Sequence, residues 1–156
     1  MCKVALLSIH PQHSKNIFNG QKIVELRRTR PKLRCGDLIL IYASSPQKEV
    51  VGIAEVEKVV EKSIAYLWED VEDKACISHK QFSMYFSGTS VGYGIFLKKT
   101  FTFRKSISLE NLKKEWVNFH PPQSYKYLSQ EEVSVFQKLS EFNISNLFQA
   151  EQKSIL

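Results

Sequence analysis

The sequence has little cysteine, and what it has is scattered. Cys2, Cys35 and Cys76 lie far apart, without a Cys-x-x-Cys pair. An odd, dispersed set argues against a disulfide framework and against a structural zinc site. Cys35, beside Gly36, reads as a small turn residue rather than a nucleophile, because no helix N-terminus follows it to lower its pKa. Long apolar runs are also missing, and none reaches the length of a membrane span. Val4 to Ile9 is apolar but short, and His10-Pro11-Gln12-His13 interrupts it where a leader's cleavage site would stand, so a first strand accounts for it better. The expected setting is cytoplasmic, with no membrane partner. The histidines do not gather: His10 and His13 stand three apart at a helix start, and His79 and His120 are distant. No metal site and no cofactor is expected from that spacing. No repeat, low-complexity tract or second domain is visible.

What is present is ordinary for a globular chain: 156 residues, 43% hydrophobic and 24% charged. That length suits one domain with a substantial core. Its expected extent is residues 1–142, with 143–156 a loosely held polar tail. The net charge of +6 is uneven, since Lys22, Arg27, Arg28, Arg30, Lys32 and Arg34 fall close together, opposed only by Glu25. Clustered positive charge is the footprint of a polyanion, with nucleic acid the default partner. The plainer reading is a solubilising surface.

Strands outnumber helices along the chain. Val4 to Ile9 is the first, and Pro11 suits the first turn of a helix whose body runs from Ser14 to Asn19. Gly20 closes that helix in the left-handed position. Ile23 to Arg28 alternates as a second strand, Leu38 to Tyr42 is apolar enough to be central, and Val50 to Val60 is long, with Gly52 marking a bulge or a close approach. Helices follow from Ser63 and over Ser78 to Tyr85, then a last long strand from Val91 to Phe103. Ser108 opens another helix, Pro121-Pro122-Gln123-Ser124-Tyr125 reads as a rigid loop, and Ser129-Gln130-Glu131-Glu132 is a capping box before a terminal helix. The pattern is α+β, with a small barrel or strongly curved sheet and flanking helices.

The stretch that organises the rest is Gly20-Gln21-Lys22-Ile23-Val24-Glu25-Leu26-Arg27-Arg28. As a strand, it turns Val24 and Leu26 to a core, and Glu25 and Arg27 to the other face, with Lys22 leaning over them. Spacing alone is equally served by an edge strand with a solvated charged face. However, Gly-x-Lys-x-x-Glu-x-Arg after a short helix resembles the signature of the ASCH domain, a PUA-like β-barrel family. Leu7-Ser8-Ile9-His10-Pro11, Cys35 to Ser44 and Val51 to Val56 are similar to the family's neighbouring strands, so the resemblance covers roughly residues 3 to 127.

The resemblance implies a PUA-like pseudo-barrel with helices over its ends, and a cleft at the motif that binds RNA or modified nucleosides, DNA being a further possibility. Lys22, Glu25 and Arg27 would line it. Arg27 suits a phosphate, and Glu25 suits the amine or ring N–H of a base. Arg28 and Arg30 extend the basic surface. Tyr42, Tyr93 and Tyr125 are candidate stacking platforms, each also consistent with a half-buried core position. Gln123 and Ser124, held by the prolines, are candidate contacts to a base edge or phosphate, or simply turn residues. Ser44 and Gly52 would line the cleft by backbone approach.

An enzyme is the competing class. A bacterial branch of similar proteins hydrolyses the acetyl amide of acetylated cytidine with a lysine, a threonine and a glutamate. The lysine matches Lys22, but Glu25 stands where the threonine would be, which removes that nucleophile. Glu69 and Glu72 are candidates for the glutamate. A Lys22/Glu25 pair acting on water remains an alternative, although the two cations would depress the Glu25 pKa. A protein-interaction module in transcription is the third reading. The expectation on balance is a nucleic-acid-binding module rather than an enzyme.

Overall fold

Leu38–Ala43 is buried at every position, and the fold is laid out on either side of it. The structure, a computed structural model, describes residues 2–147. The elements in order are β1 (Val4–Ile9), α1 (Pro11–Phe18), β2 (Val24–Arg27), β3 (Leu38–Ala43), β4 (Glu49–Ser63), α2 (Ile64–Val71), α3 (His79–Tyr85), β5 (Val91–Ser108), α4 (Leu109–Glu115), β6 (Tyr125–Tyr127) and α5 (Gln130–Ser140). The strands form one six-stranded sheet in the order β2-β5-β4-β3-β1-β6. β1 and β3 run parallel, from Val4↔Leu38 to Ile9↔Ala43. A strand covered on both faces reads as a continuous apolar run, which is why β3 shows no alternation.

Both faces of the sheet are packed. On one, Leu6, Leu40, Ile53, Phe103 and Ile107 meet Leu112 of α4 and Phe136 of α5. On the other, Leu7, Ile9, Ile39 and Ile41 meet Ile17 of α1. A third cluster sets Val24 and Leu26 of β2 against Leu67 and Val71 of α2 and Phe82 of α3. The long β4–β5 hairpin shifts register between Val50 and Gly52, between Glu55 and Val56, and between Val56 and Lys58. Each shift bends the strand and adds twist, so the sheet curls into a half-barrel. The α+β architecture with a strongly curved sheet and flanking helices is the expected one.

Several details depart from the expected elements. α1 begins at Pro11, because a proline at the first helical position is already set for the helix, and His10 Nδ1 accepts from the Gln12 N–H at 3.4 Å as its cap. β4 and β5 are both longer than expected, since they pair along their length from Glu49↔Ser108 to Ser63↔Val91. Tyr125 is not loop but the first residue of β6, opposite Leu7. The prolines end before it, so its backbone is free to pair. Ile144 is fully buried against the first cluster, so packing continues past residue 142. The rest of the expected tail, 148–156, lies outside the described residues.

The capping box is complete: Ser129 Oγ accepts from the Glu132 N–H at 3.1 Å, and the Ser129 N–H donates to Glu132 Oε1 at 3.0 Å. Gly20 takes φ +83° at the end of α1, which lets the chain turn directly into the motif.

Candidate functional site

Four elements converge on a cavity of about 260 Å³: the end of β1 (Ser8, Ile9), the start of α1 (His10, His13), β2 with its approach (Lys22, Glu25, Leu26, Arg27), and α3 with its approach (Ile77, Gln81, Tyr85). β2 alternates as its sequence demands, with Val24 and Leu26 buried in the core and Glu25 and Arg27 facing the cavity.

Lys22 is the deepest charge of this cavity, only 3% exposed. Its Nζ donates to the Ala75 carbonyl at 2.5 Å and lies 4.0 Å from Glu25 Oε2. Burial pushes the ammonium pKa below its usual value, and Glu25 works against that shift. Glu25 Oε1 is 3.3 Å from Arg27 Nη2. Arg27 also donates from Nη1 to Ser124 Oγ at 3.2 Å and from Nη2 to the Ser8 carbonyl at 3.4 Å. His13 faces the same space, and burial, helped by the Lys22 charge, holds its imidazole below the usual range. Tyr85 donates its hydroxyl to the Leu26 carbonyl at 3.1 Å, and burial raises its phenol pKa. Among the described residues, His13 Nδ1 and Arg27 Nε are buried side-chain polar atoms without a hydrogen-bond partner. Both belong to residues lining this cavity.

The structure brings Lys22, Glu25, Arg27 and Ser124 together and disperses the other candidates. Arg28 is exposed and donates to the Ser87 carbonyl at 3.2 Å. Arg30 is 66% exposed and ion-paired with Glu61, its guanidinium 6.0 Å from the Tyr93 ring centre. The basic run thus divides between buried members in the cavity and exposed ones outside it. Tyr42 is a correction: it is 3% exposed, packed in the first core cluster, and does not line the cavity. Its even place in β3, with Leu38 and Leu40, turns it to that cluster. Gly52 is also structural here, because a Cβ there would lie 2.4 Å from the Phe101 carbonyl and 2.6 Å from the Phe18 ring. Ser44 donates its N–H to the Ile9 carbonyl at 2.9 Å and does not line the cavity. Gln123 is exposed. Tyr125 is half-buried, its ring edge-on to Tyr127 at 5.4 Å.

Sequence reasoning missed the aromatic wall and undervalued the histidines. His10 and His13 are three apart, a spacing that places both on one face of a helix once Pro11 starts it. Tyr85 carried no comparable signal, because only the packing of α3 beside β2 brings it to Leu26.

The comparisons with known proteins agree with this architecture. The ASCH domain family matches residues 7–126. The chain is 37% identical over 131 residues to an ASCH domain-containing ribonuclease of Zymomonas mobilis, covering 84% of this chain and 88% of that one. The crystal structure of ASCH from Zymomonas mobilis superposes with a TM-score of 0.83 at 36% identity, covering 88% of this chain and 95% of that chain. The human THYN1 protein, crystallised with DNA containing 5-methylcytosine, shares the fold at a TM-score of 0.55 and 16% identity, over 90% of this chain and 99% of that one. The ribonuclease relative overturns the expectation of a binding module without catalysis and points to enzymatic activity. It also supports a function connected with nucleic acid in general. With the family match spanning most of the sequence and the curled sheet superposing on an ASCH crystal structure, this chain belongs to the ASCH domain family.

Proposed function

We propose that this chain is a ribonuclease that seats one nucleotide of a single-stranded RNA in the cavity of Lys22, Glu25 and Arg27. The observation that carries the reading is the joint presence of cationic, carboxylate and imidazole groups in one cavity, in a chain 37% identical to a relative named as a ribonuclease. Its volume of about 260 Å³ is just below the roughly 300 Å³ at which small-ligand sites begin. One base with part of its ribose fits such a space, and a duplex does not.

RNA carries its own nucleophile, the ribose 2′ hydroxyl, next to the scissile phosphate. Cleavage then needs a base for the 2′ proton, positive charge for the phosphorane, and an acid for the departing 5′ oxygen. His13, whose imidazole pKa burial lowers, lines the cavity and is the candidate base. Arg27 supplies charge, already oriented by Ser124 and Ser8. His10, which lines the same cavity with its ring centre 6.3 Å from that of His13, is the candidate acid. The 2′ oxygen bonds to phosphorus, the P–O5′ bond breaks, and the products are a 2′,3′-cyclic phosphate and a 5′ hydroxyl.

The test is digestion of end-labelled RNA and of DNA with the same sequence by the purified protein. Cyclic-phosphate ends from RNA, with DNA intact, support the reading. Equal cleavage of DNA, which lacks the 2′ hydroxyl, removes it.

A further inference from the structure

The floor of the cavity presents a carboxylate between two cations, and their spacing is selective. Glu25 Oε1 is fixed by Arg27 Nη2 at 3.3 Å, whereas Oε2 is 4.0 Å from Lys22 Nζ, too far for a hydrogen bond. Lys22 spends one donor on the Ala75 carbonyl, and an ammonium carries three. The motif therefore leaves, side by side, two acceptor oxygens and a donor with bonds to spare. Ile9 and Ile77 supply apolar lining, and Tyr85, 40% exposed, an aromatic ring.

We propose that this cavity is a guanine-reading subsite, in which the Glu25 carboxylate accepts from the N1–H and N2–H of the base and the Lys22 ammonium donates to its O6. The inference rests on the ribonuclease reading for its biological setting. Guanine places an acceptor beside two adjacent donors, in the order the floor presents their complements. The other bases leave a mismatch at the same carboxylate. Adenine and cytosine offer one amine and set a ring-nitrogen lone pair against the second oxygen. Uracil offers one N–H between two carbonyls. A bidentate contact discriminates against a wrong base by about tenfold to about a hundredfold. Arg27 acts here as a positioning residue, holding the plane of the carboxylate, and its buried Nε, like His13 Nδ1, has no hydrogen-bond partner among the described residues.

The experiment is calorimetric titration of the wild-type protein with the 3′-monophosphates of guanosine, adenosine, cytidine, uridine and inosine. Guanylate is expected to bind at least about tenfold tighter than adenylate, cytidylate or uridylate. Inosinate, which lacks only the 2-amino group, is expected to lose about tenfold of that affinity. Glu25→Gln, checked for an unchanged melting temperature, is expected to level the series. Affinities within a factor of about two across all five nucleotides overturn the proposal, as does inosinate binding as well as guanylate. The nucleotide series needs no variant, so a misfolded Glu25→Gln protein does not blunt the test. RNA cleavage without base preference removes this subsite and leaves the ribonuclease reading. Selective guanylate binding without RNA cleavage does the reverse.

Discussion

Arg27 Nη1 donates to Ser124 Oγ at 3.2 Å, and this bond ties the two edges of the sheet together. Arg27 ends β2, Ser124 immediately precedes β6, and these are the outermost strands of the six. The same arginine holds the Glu25 carboxylate. One side chain thus couples the curvature of the fold to the geometry of the cavity.

That coupling separates Arg27 from the other cations. Arg27→Ala is expected to lower the RNA cleavage rate by about a hundredfold or more, since it removes charge and carboxylate orientation together. It should also cost stability, and Ser124→Ala alone should cost about 1 kcal/mol. Arg30, exposed and paired with an exposed Glu61, should contribute little to stability. Arg30→Ala should weaken all RNAs alike and reduce the salt dependence of binding. Urea denaturation and binding at two salt concentrations check both variants.

The proton inventory gives a pH dependence. His13 has its pKa lowered by burial first and by Lys22 second, so the acid limb of the cleavage rate should lie below the usual histidine value of 6.5. Lys22→Gln keeps a donor for the Ala75 carbonyl but removes a charge, so His13 should titrate higher and the limb should move up. Burial remains the larger cause, so the shift should be partial. For stability the sign is set by the unfolded chain, which takes up the proton first as pH falls. The stability linked to neutral His13 is therefore present in full above the unfolded pKa and is lost as pH falls from there through the folded pKa. A pH–rate profile of both proteins, with melting at matched pH values, reads these effects.

Gly52 should tolerate no side chain. A Cβ would meet the Phe101 carbonyl at 2.4 Å, and backbone cannot step aside as a flexible side chain does. Gly52→Ala is expected to cost about 1–3 kcal/mol. Trimming Phe18 in the same protein should not restore the loss, because the carbonyl remains. Denaturant midpoints of the single and double variants decide it.

Val24→Asp should unfold the domain, with a loss of about 4 kcal/mol or more. Val24 is fully buried in an apolar cluster with α2, α3 and Phe96. Ser129→Ala should cost about 1 kcal/mol, through the capping bonds with Glu132. Circular dichroism and urea melts measure both.

Much of the fold was legible because local rules and tertiary packing agreed. The alternation of Val24, Glu25, Leu26 and Arg27, the apolar run of β3, the left-handed Gly20 and the Ser129 box all appear where the pattern put them. The strand Tyr125–Tyr127 was not legible, since three residues acquire strand character only by pairing with β1. The cavity was half legible. Glu25 and Arg27 follow from one strand's alternation, with Lys22 placed just before it, but the depth of Lys22 depends on the distant Ala75 carbonyl. Tyr42 went wrong for the converse reason: its type suited stacking, and its register turned it into the core.

The measurement that tests the central claim most directly is single-turnover cleavage of a labelled single-stranded RNA by wild type and His13→Gln, with EDTA present and folding verified by circular dichroism. The account predicts fragments with 2′,3′-cyclic phosphate ends from the wild type, and a rate lower by about a hundredfold or more in the variant. An intact substrate with wild-type protein, or a His13→Gln protein that cuts at the wild-type rate, would contradict it.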